Sequence, residues 1–152
     1  MVAAARQWLV AFPDSQNKLS AMYAVKNVMT DCPVVVHPET TIDDAIELLL
    51  NHRVSGLPVV DKQGFLVGVI SEIDIIDLVY KADIDGSRVG DFMCRNVESL
   101  DVEASLDEAA SLFCGKNIRR IPIVRDGKLV GVISRRDLIR FVRSVRKNEP
   151  AL

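Results

Sequence analysis

A seven-residue pattern occurs twice in this chain, and this repeat limits the possible folds more than any other feature. Gly68–Asp74 reads GVISEID and Gly131–Asp137 reads GVISRRD, so that the two aspartates are 63 residues apart. Upstream of the pattern, further pairs share a spacing of 64 residues: Met29 and Met93, Ala45 and Ala109, Pro58 and Pro122. The one-residue difference falls in a turn, where a deletion costs least. The chain is therefore predicted to use one structural unit twice.

Each repeat predicts the element order β-α-β-β-α. A β-branched run at Val34–Val36 reads as a strand, and Ile42, Ala45 and Leu49 recur with helical periodicity. Thr41 and Ser105 are the expected N-caps, the latter with Glu108 in a capping box. The remaining predicted elements are strands Val54–Val60, Ile118–Val124, Phe65–Ile70 and Lys128–Ile133, turns Asp61–Gly64 and Asp126-Gly127, and helices from Ser71 to about Lys81 and from Ser134 to about Lys147. The predicted class is α+β, because two helices per repeat can cover a small sheet.

Four segments follow from the repeat boundaries. Residues 27–86 and 87–147 are the two repeats, 148–152 is a tail, and 1–26 lies outside the repeat. Each repeat alone would be marginally stable, so the two are expected to pack on each other. In the N-terminal segment, Trp8–Phe12 precedes Pro13 and predicts a short helix. This helix either covers an edge of the core or contributes to a dimer contact.

Composition narrows the class of protein. No apolar run approaches the roughly 18 residues of a membrane helix, and the N-terminus lacks the signature of a signal peptide. Three cysteines, Cys32, Cys94 and Cys114, are scattered without metal-binding spacing and indicate reduced thiols that are buried or semi-buried. A cytoplasmic protein with no membrane contact is the expectation.

The two repeats carry opposite charge. Residues 28–90 contain four Lys and Arg against eleven Asp and Glu, a net −7, while residues 91–147 contain twelve against eight, a net +4. An anionic ligand is therefore expected near the second repeat.

The duplicated motif resembles the cystathionine-β-synthase (CBS) domain family, and the pair resembles a Bateman module. The similarity rests on Val28-Met29-Thr30, on His52–Asp61, on Leu66–Ser71 and on their second copies, and it extends over roughly residues 25–147. The resemblance implies two CBS units packed with pseudo-twofold symmetry, with two clefts between them. It also implies sensing of adenosine-containing ligands, such as AMP, ADP, ATP or S-adenosylmethionine, often by disc-like dimers.

Ser134 and Asp137 are the first candidates for ligand contact. A carboxylate at a helix start can accept ribose hydroxyls, and the free N–H groups there suit a phosphate. Arg135 and Arg136 add guanidinium groups that can fork onto phosphate oxygens. Ser134-x-x-Asp137 is equally an ordinary capping box, and the two roles are compatible.

Further contacts are carried over from the family resemblance. For the Asp137 cleft, the resemblance implies contacts at Thr30, Val34, Val54, Ser55 and Gly56, where the small residues would let a purine approach the main chain. Val34, Val54 and Val132 would enclose the faces of the base. Arg120, and less directly Arg119, would reach phosphate; the alternative is that both are solvated charges at a strand edge.

Ser71 and Asp74 form the corresponding second cleft. Glu72 stands there in place of Arg135, and a carboxylate repels a phosphate. The second cleft is therefore expected to be empty or to bind an uncharged, nucleoside-like group.

The sequence contains no catalytic constellation, no metal-ligand cluster and no phosphate-binding glycine loop. Arg136, Arg140, Arg143 and Lys147 form a basic stripe on the last helix. The stripe has three interpretations: a solvated face, a nucleic-acid surface, which the low aromatic content makes unlikely, or a head-to-tail dimer contact with Asp74 and Asp77. We expect a non-catalytic adenine-nucleotide sensor, homodimeric, with no required cofactor and an unidentified regulated protein. The alternatives are a ligand-free interaction module and a nucleic-acid-binding regulator.

Overall fold

The structure is a computed structural model that describes residues 23–81 and 84–148. The predicted helix near Trp8 lies outside the described residues. A short 3₁₀ helix spans Val25–Asn27. The helices are α1 (Ile42–His52), α2 (Glu72–Lys81), α3 (Val89–Phe92), α4 (Leu106–Gly115) and α5 (Arg135–Asn148). The strands are β1 (Thr30–Asp31), β2 (Gly56–Val60), β3 (Leu66–Ser71), β4 (Leu100–Asp101), β5 (Arg120–Arg125) and β6 (Lys128–Ser134).

The chain forms two compact units that do not coincide with the two sequence repeats. Unit A comprises the described residues up to Asp31, Leu100–Ile123, and the chain from Gly131 onward. Unit B comprises Cys32–Ser99 and Val124–Val130. Each unit consists mainly of one repeat and contains the leading segment of the other repeat.

In unit A, the leading segment of the first repeat pairs with the second repeat. β1 runs antiparallel to β6, with Thr30 opposite Val132 and Asp31 opposite Gly131, in a sheet of order β1-β6-β5-β4. A Cβ placed on Gly131 would lie 2.5 Å from the Met29 sulfur and 2.9 Å from the Thr30 carbonyl oxygen. The motif glycine is therefore required by the close approach of β1.

Unit B repeats this arrangement with the leading segment of the second repeat. Val69 of β3 bridges Cys94, and a Cβ on Gly68 would lie 2.6 Å from the Met93 sulfur. β2 and β3 form an antiparallel hairpin with Gly56 opposite Ser71. The repeated glycines and methionines thus have the same packing role in both units.

The predicted strand at Val34–Val36 is wrong. Only Val36 pairs, through an isolated parallel bridge to Val59, with its N–H donating to the Pro58 carbonyl at 3.0 Å. Pro33 and Pro38 flank the run and lack an N–H donor, which keeps the segment from extending a ladder.

Both predicted N-caps are confirmed. Thr41 Oγ1 accepts from the N–H of Asp44 at 3.2 Å, and Ser105 with Glu108 forms a full capping box. In the second repeat, Asp126 and Gly127 both have positive φ (52° and 79°) and form the predicted two-residue turn between β5 and β6.

Each unit has its own apolar interior. In unit B, the core is built from α1, β2, β3 and α2, and it includes Ile42, Leu57 and Ile70. In unit A, Leu106, Ile121 and Ile133 are fully buried. The predicted α+β class is confirmed, and the α-β-β-α part of the predicted order is present in both repeats. The leading strand differs from the prediction, because it is Thr30–Asp31 in the first repeat and Leu100–Asp101 in the second. All three cysteines are exposed, so the prediction of buried or semi-buried thiols is wrong. No helix within the described part of the chain has the length and hydropathy to span a membrane.

Candidate functional site

The second copy of the motif forms a reciprocal cap where β6 passes into α5. The Asp137 Oδ2 atom accepts from the Ser134 N–H and from the Ser134 hydroxyl, both at 2.7 Å. The Ser134 Oγ atom in turn accepts from the Asp137 N–H at 3.2 Å. The capping interpretation of Ser134-x-x-Asp137 is therefore correct, and it fixes the first turn of α5.

The first copy of the motif forms the same cap. Ser71 N–H and Oγ donate to Asp74 Oδ2 at 2.8 and 2.7 Å, and the Asp74 N–H lies 3.4 Å from Ser71 Oγ. The serine and the aspartate are thus accounted for structurally in both repeats. A functional difference between the two copies has to come from the neighbouring residues.

Arg140 distinguishes the two motif aspartates. Its Nη1 atom lies 3.3 Å from Asp137 Oδ1, and the side chains are 73% and 13% exposed. The equivalent residue in the first repeat is Asp77, which instead pairs with Lys81 at 2.6 Å. The sequence analysis did not assign Arg140 to the site, although its position three residues after Asp137 on one helix was a usable signal.

Four arginines belong to the segments next to the cap in unit A: Arg135 and Arg136 open α5, Arg120 opens β5, and Arg119 precedes it. The Arg135 N–H donates to the Arg119 carbonyl at 3.2 Å, which ties the start of α5 to the residue before β5. Arg120 is the first residue of β5 and is half-buried, while Arg119, Arg135 and Arg136 are exposed. Within the described ranges, none of these four guanidinium groups forms an ion pair or a side-chain hydrogen bond. Unit A therefore holds a group of cations that protein carboxylates do not neutralise.

Unit B has the same backbone but not the same charges. The Glu72 N–H donates to the Ser55 carbonyl at 3.0 Å, in the same way as Arg135 to Arg119. By the repeat alignment, Ser55 and Gly56 replace Arg119 and Arg120, and Glu72 and Ile73 replace Arg135 and Arg136. The first-repeat site thus has one carboxylate where the second-repeat site has four guanidinium groups.

Thr30 and Val132 lie side by side in unit A. Their Cα atoms are partners in the β1–β6 ladder, and Thr30 is exposed. Val132 is only 6% exposed, so its side chain is largely part of the interior. Thr30 therefore offers a ligand more surface than Val132 does.

The other predicted base contacts belong to unit B. Val34 and Val54 are partly buried and pack against the unit B core, and Gly56 pairs with Ser71. The structure thus groups Val34, Val54, Ser55 and Gly56 in the same unit as Asp74. Their contact with a nucleotide stays a prediction.

Unit B also contains an open depression away from the motif. Its volume is about 550 Å³. The lining residues are Pro38, Glu39, Arg88, Gly90, Asp91 and Arg95, none of which is a predicted site residue. Arg88 and Arg95 donate to the backbone carbonyls of Glu39 and Gly90, at 2.6 and 2.9 Å.

The chain belongs to the CBS domain family. The family model matches it twice, over residues 25–81 and 89–144. The matched ranges include both capped motifs and the leading segment of each repeat. The resemblance on which the sequence analysis relied is thus confirmed, and the chain is a tandem pair of CBS domains.

Individual CBS proteins resemble the chain over most of its length. The CBS domain-containing protein CBSX1 of Arabidopsis thaliana, described as chloroplastic, is 30% identical over 89% of this chain and 70% of its own. The crystal structure of CBSX2 from the same organism, in complex with AMP, has a TM-score of 0.74 at 36% identity and covers 82% of this chain and 98% of CBSX2. The CBS domain pair of protein MJ0100, in complex with 5′-methylthioadenosine and S-adenosyl-L-methionine, has a TM-score of 0.72 at 27% identity. The match covers 81% of this chain and 98% of the MJ0100 chain.

Proposed function

We propose that this chain is a non-catalytic regulatory module that binds an adenine nucleotide at the start of α5 in unit A. The observation that carries the proposal is the group of four unpaired arginines (Arg119, Arg120, Arg135 and Arg136) around the capped Ser134–Asp137 turn, in the part of the chain that the structure describes. AMP, ADP and ATP share an adenosine moiety and an anionic tail. These two parts suit a site that combines an aspartate with a group of arginines.

The phosphate end of the ligand would meet the arginines. Guanidinium groups form paired hydrogen bonds with phosphate oxygens, and each such bond is stronger than one between neutral groups. The N–H groups of the first turn of α5 add donors with a favourable dipole. A phosphorylated ligand is thus favoured over the free nucleoside.

The ribose end would meet Asp137. A carboxylate has about four lone-pair directions, and here two on Oδ2 are used by Ser134 and one on Oδ1 faces Arg140 at 3.3 Å. One direction remains for a ribose hydroxyl, and a second becomes available if the exposed Arg140 side chain turns away. The cap and the ribose contact are therefore compatible.

The corresponding site in unit B is proposed as the weaker one. Glu72 would repel a phosphate there, and Ser55 and Gly56 carry no charge. An adenosine compound without an anionic tail fits this site better. The complexes of CBSX2 with AMP and of MJ0100 with 5′-methylthioadenosine and S-adenosyl-L-methionine support adenosine compounds as the ligand class.

The regulatory effect would be a shift between conformations. A ligand changes such an equilibrium only as far as it binds one conformation more tightly than the other. The conformation favoured by the nucleotide would then be recognised by a separate protein.

The two identical caps allow a matched test. Asp137→Ala and Asp74→Ala each remove the two cap hydrogen bonds that the aspartate Oδ2 accepts from the serine, so both variants should lose a similar part of their folding stability. Asp137→Ala also removes the exposed contact with Arg140, which adds little to stability. Thermal shift with AMP, ADP, ATP, adenosine and S-adenosylmethionine, on ligand-stripped protein, separates ligand binding from this common loss. A nucleotide at one hundred times its Kd should add about 2.7 kcal/mol to the unfolding free energy of the wild type.

We expect the AMP, ADP or ATP response to disappear in Asp137→Ala and to persist in Asp74→Ala. Arg120→Gln and Arg136→Gln leave the cap intact, and they should weaken the binding of nucleotides more than the binding of adenosine. Flat calorimetric heats with every compound would contradict the proposal and favour a ligand-free interaction module. If Asp137→Ala and Asp74→Ala lose the thermal-shift response to nucleotides equally, the proposed position of the site in unit A is wrong.

A further inference from the structure

The open depression in unit B is lined by charges of both signs. Glu39 and Asp91 are exposed, and among the residues that the structure describes, neither carboxylate forms an ion pair or a hydrogen bond. Arg88 and Arg95 each donate to a backbone carbonyl, at 2.6 and 2.9 Å, rather than to a carboxylate. An arginine side chain carries five N–H donors, so each guanidinium group keeps donors for a further partner.

The equivalent place in unit A is filled by a lysine side chain. The repeat alignment pairs Lys26 with Gly90 and Glu103 with Glu39. The backbone agrees between the units, because the residues before Lys26 and before Gly90 each donate an N–H, at 2.8 Å, to the loop that precedes α4 or α1. The Lys26 ammonium lies 2.8 and 2.6 Å from the two carboxylate oxygens of Glu103. In unit B, Gly90 supplies no ammonium, and Glu39 is left without this partner.

Gly90 itself has a local cause. Its N–H donates to the Pro38 carbonyl at 2.8 Å, and a Cβ at position 90 would lie 3.0 Å from Pro38 Cβ and 3.1 Å from the Pro38 carbonyl oxygen. Such distances are shorter than the optimal separation of non-bonded carbon atoms. The close approach of Pro38 therefore favours glycine and leaves the depression open, but it does not explain the charges that line it.

The two arginines are particular to unit B. The repeat alignment places Ala24 and Asp31 of unit A at the positions of Arg88 and Arg95. Ala24 and Arg88 form the same isolated β-bridge, each to the N-cap residue of the neighbouring helix. This backbone contact therefore does not require a basic side chain, and the repeated fold does not account for the arginines of the depression.

We propose that the depression binds a basic α-amino acid, for which L-lysine is the probe. The side-chain ammonium of the ligand would pair with Glu39, at the place where unit A pairs its own lysine with a glutamate. The α-carboxylate would accept from Arg88 and Arg95, because guanidinium groups form strong charge-assisted hydrogen bonds with carboxylates. The α-ammonium would lie near Asp91. This site goes beyond the proposed function and does not depend on nucleotide binding.

Ligands with charges of one sign fit the depression less well. An anion would meet the carboxylates of Glu39 and Asp91, a simple cation would meet the two guanidinium groups, and like charges repel. The volume of the depression, about 550 Å³, lies within the range of about 300–1,000 Å³ that is usual for small-molecule sites. A ligand that carries both charges on a short aliphatic chain matches the lining best.

Three compounds test the recognition of each ligand group. L-Lysine carries both ammonium groups and the carboxylate, L-norleucine lacks the side-chain ammonium, and the diamine cadaverine lacks the carboxylate. Isothermal titration calorimetry on the wild-type chain, in the absence of nucleotide, measures the Kd of each compound. We expect L-lysine to bind most tightly and both analogues to be weaker by at least about fivefold, as for the loss of one partly exposed ion pair.

Glu39 and Glu103 provide a matched pair of variants. Glu39→Gln removes the carboxylate proposed to meet the side-chain ammonium, and it should weaken the binding of L-lysine by at least about fivefold. Glu103→Gln breaks the ion pair with Lys26 at the equivalent place in unit A, and it should leave the binding of L-lysine unchanged. Circular dichroism of each variant checks that it is folded.

Gly90→Lys gives unit B the side chain that unit A has at the equivalent position. Its ammonium should pair with Glu39 and exclude the ligand. Gly90→Ala adds the same Cβ beside Pro38 without the ammonium, so the difference between the two variants separates occupation of the depression from packing against Pro38. We expect Gly90→Lys to weaken the binding of L-lysine much more than Gly90→Ala does.

Several results would overturn the proposal. One is the absence of both a binding heat and a thermal shift with L-lysine at millimolar concentration, and another is equal affinity for L-lysine and L-norleucine. Equal loss of binding in Glu39→Gln and Glu103→Gln would show that L-lysine does not bind at the depression. Undiminished binding of L-lysine to a folded Gly90→Lys variant would lead to the same conclusion.

Discussion

Replacement of Gly131 by alanine tests why the motif begins with glycine. A Cβ at this position would lie 2.5 Å from the Met29 sulfur and 2.9 Å from the Thr30 carbonyl oxygen. The sulfur can move with its side chain, but the carbonyl belongs to β1, which pairs with β6 through Thr30 and Val132. The substitution therefore forces β1 away from β6.

The cost follows from three contributions. Overpacking of a filled site costs about 1–3 kcal/mol, and weakening one ladder hydrogen bond costs about 1 kcal/mol. Reduced freedom of the unfolded chain offsets about 0.4–1 kcal/mol. Gly131→Ala should thus lower the free energy of unfolding by about 1–3.6 kcal/mol. Gly68→Ala, whose Cβ would lie 2.6 Å from the Met93 sulfur and 3.0 Å from the Cys94 carbonyl oxygen, should have a similar effect.

The assay is urea unfolding followed by far-UV circular dichroism. Gly115→Ala is the control, because no atom lies within 4 Å of its Cβ position at the end of α4. It should leave stability unchanged or raise it by up to about 1 kcal/mol. Met29→Ala combined with Gly131→Ala separates the two contacts, because the double variant removes the clash with the Met29 sulfur and keeps the clash with the Thr30 carbonyl oxygen. If Gly131→Ala proves as stable as Gly115→Ala, the packing explanation of the motif glycine is wrong.

Two further substitutions probe the local structure. Ser105→Ala removes the N-cap of α4 and should lower the free energy of unfolding, measured in urea, by about 1 kcal/mol. An unchanged urea midpoint would mean that the capping box of Ser105 and Glu108 does not contribute to stability. Lys26→Ala breaks the 2.6 Å ion pair between Lys26 and Glu103, whose two side chains are 41% and 61% exposed, respectively. A double-mutant cycle with Glu103→Ala should give a coupling energy below about 1 kcal/mol, as expected for a surface ion pair. A larger coupling energy would contradict this interpretation.

Local features were the part of the fold that the sequence predicted well. Thr41 and Ser105 were identifiable as N-caps because the capping residue and its partner are three residues apart. The Asp126-Gly127 turn was identifiable because few other residue pairs accept two positive φ values. In each of these cases, the cause of the structure lies within a few residues of its effect.

Long-range features were not predictable in the same way. The pairing of Thr30 with Val132 joins residues from different repeats, and no local pattern encodes a partner so distant in the chain. The failure of the predicted Val34–Val36 strand has a local cause instead, because the flanking Pro33 and Pro38 lack an N–H donor. The ion pair of Arg140 with Asp137, by contrast, is local, and the three-residue spacing on one helix was a signal that the sequence analysis did not use.

The comparison of the two caps carries the functional argument. Their hydrogen bonds agree closely, at 2.7, 2.7 and 3.2 Å for Ser134 and Asp137 and at 2.8, 2.7 and 3.4 Å for Ser71 and Asp74. The fold therefore needs a serine and an aspartate in both repeats, and these residues alone do not indicate a ligand.

The arginines have no such structural explanation. Unit B forms the same turn with Ser55, Gly56, Glu72 and Ile73 at the equivalent positions. Four like charges around one turn repel one another and, among the residues that the structure describes, gain no carboxylate partner in return. We therefore propose that a bound anion offsets this repulsion, and this difference between the repeats is our reason for proposing the nucleotide site in unit A.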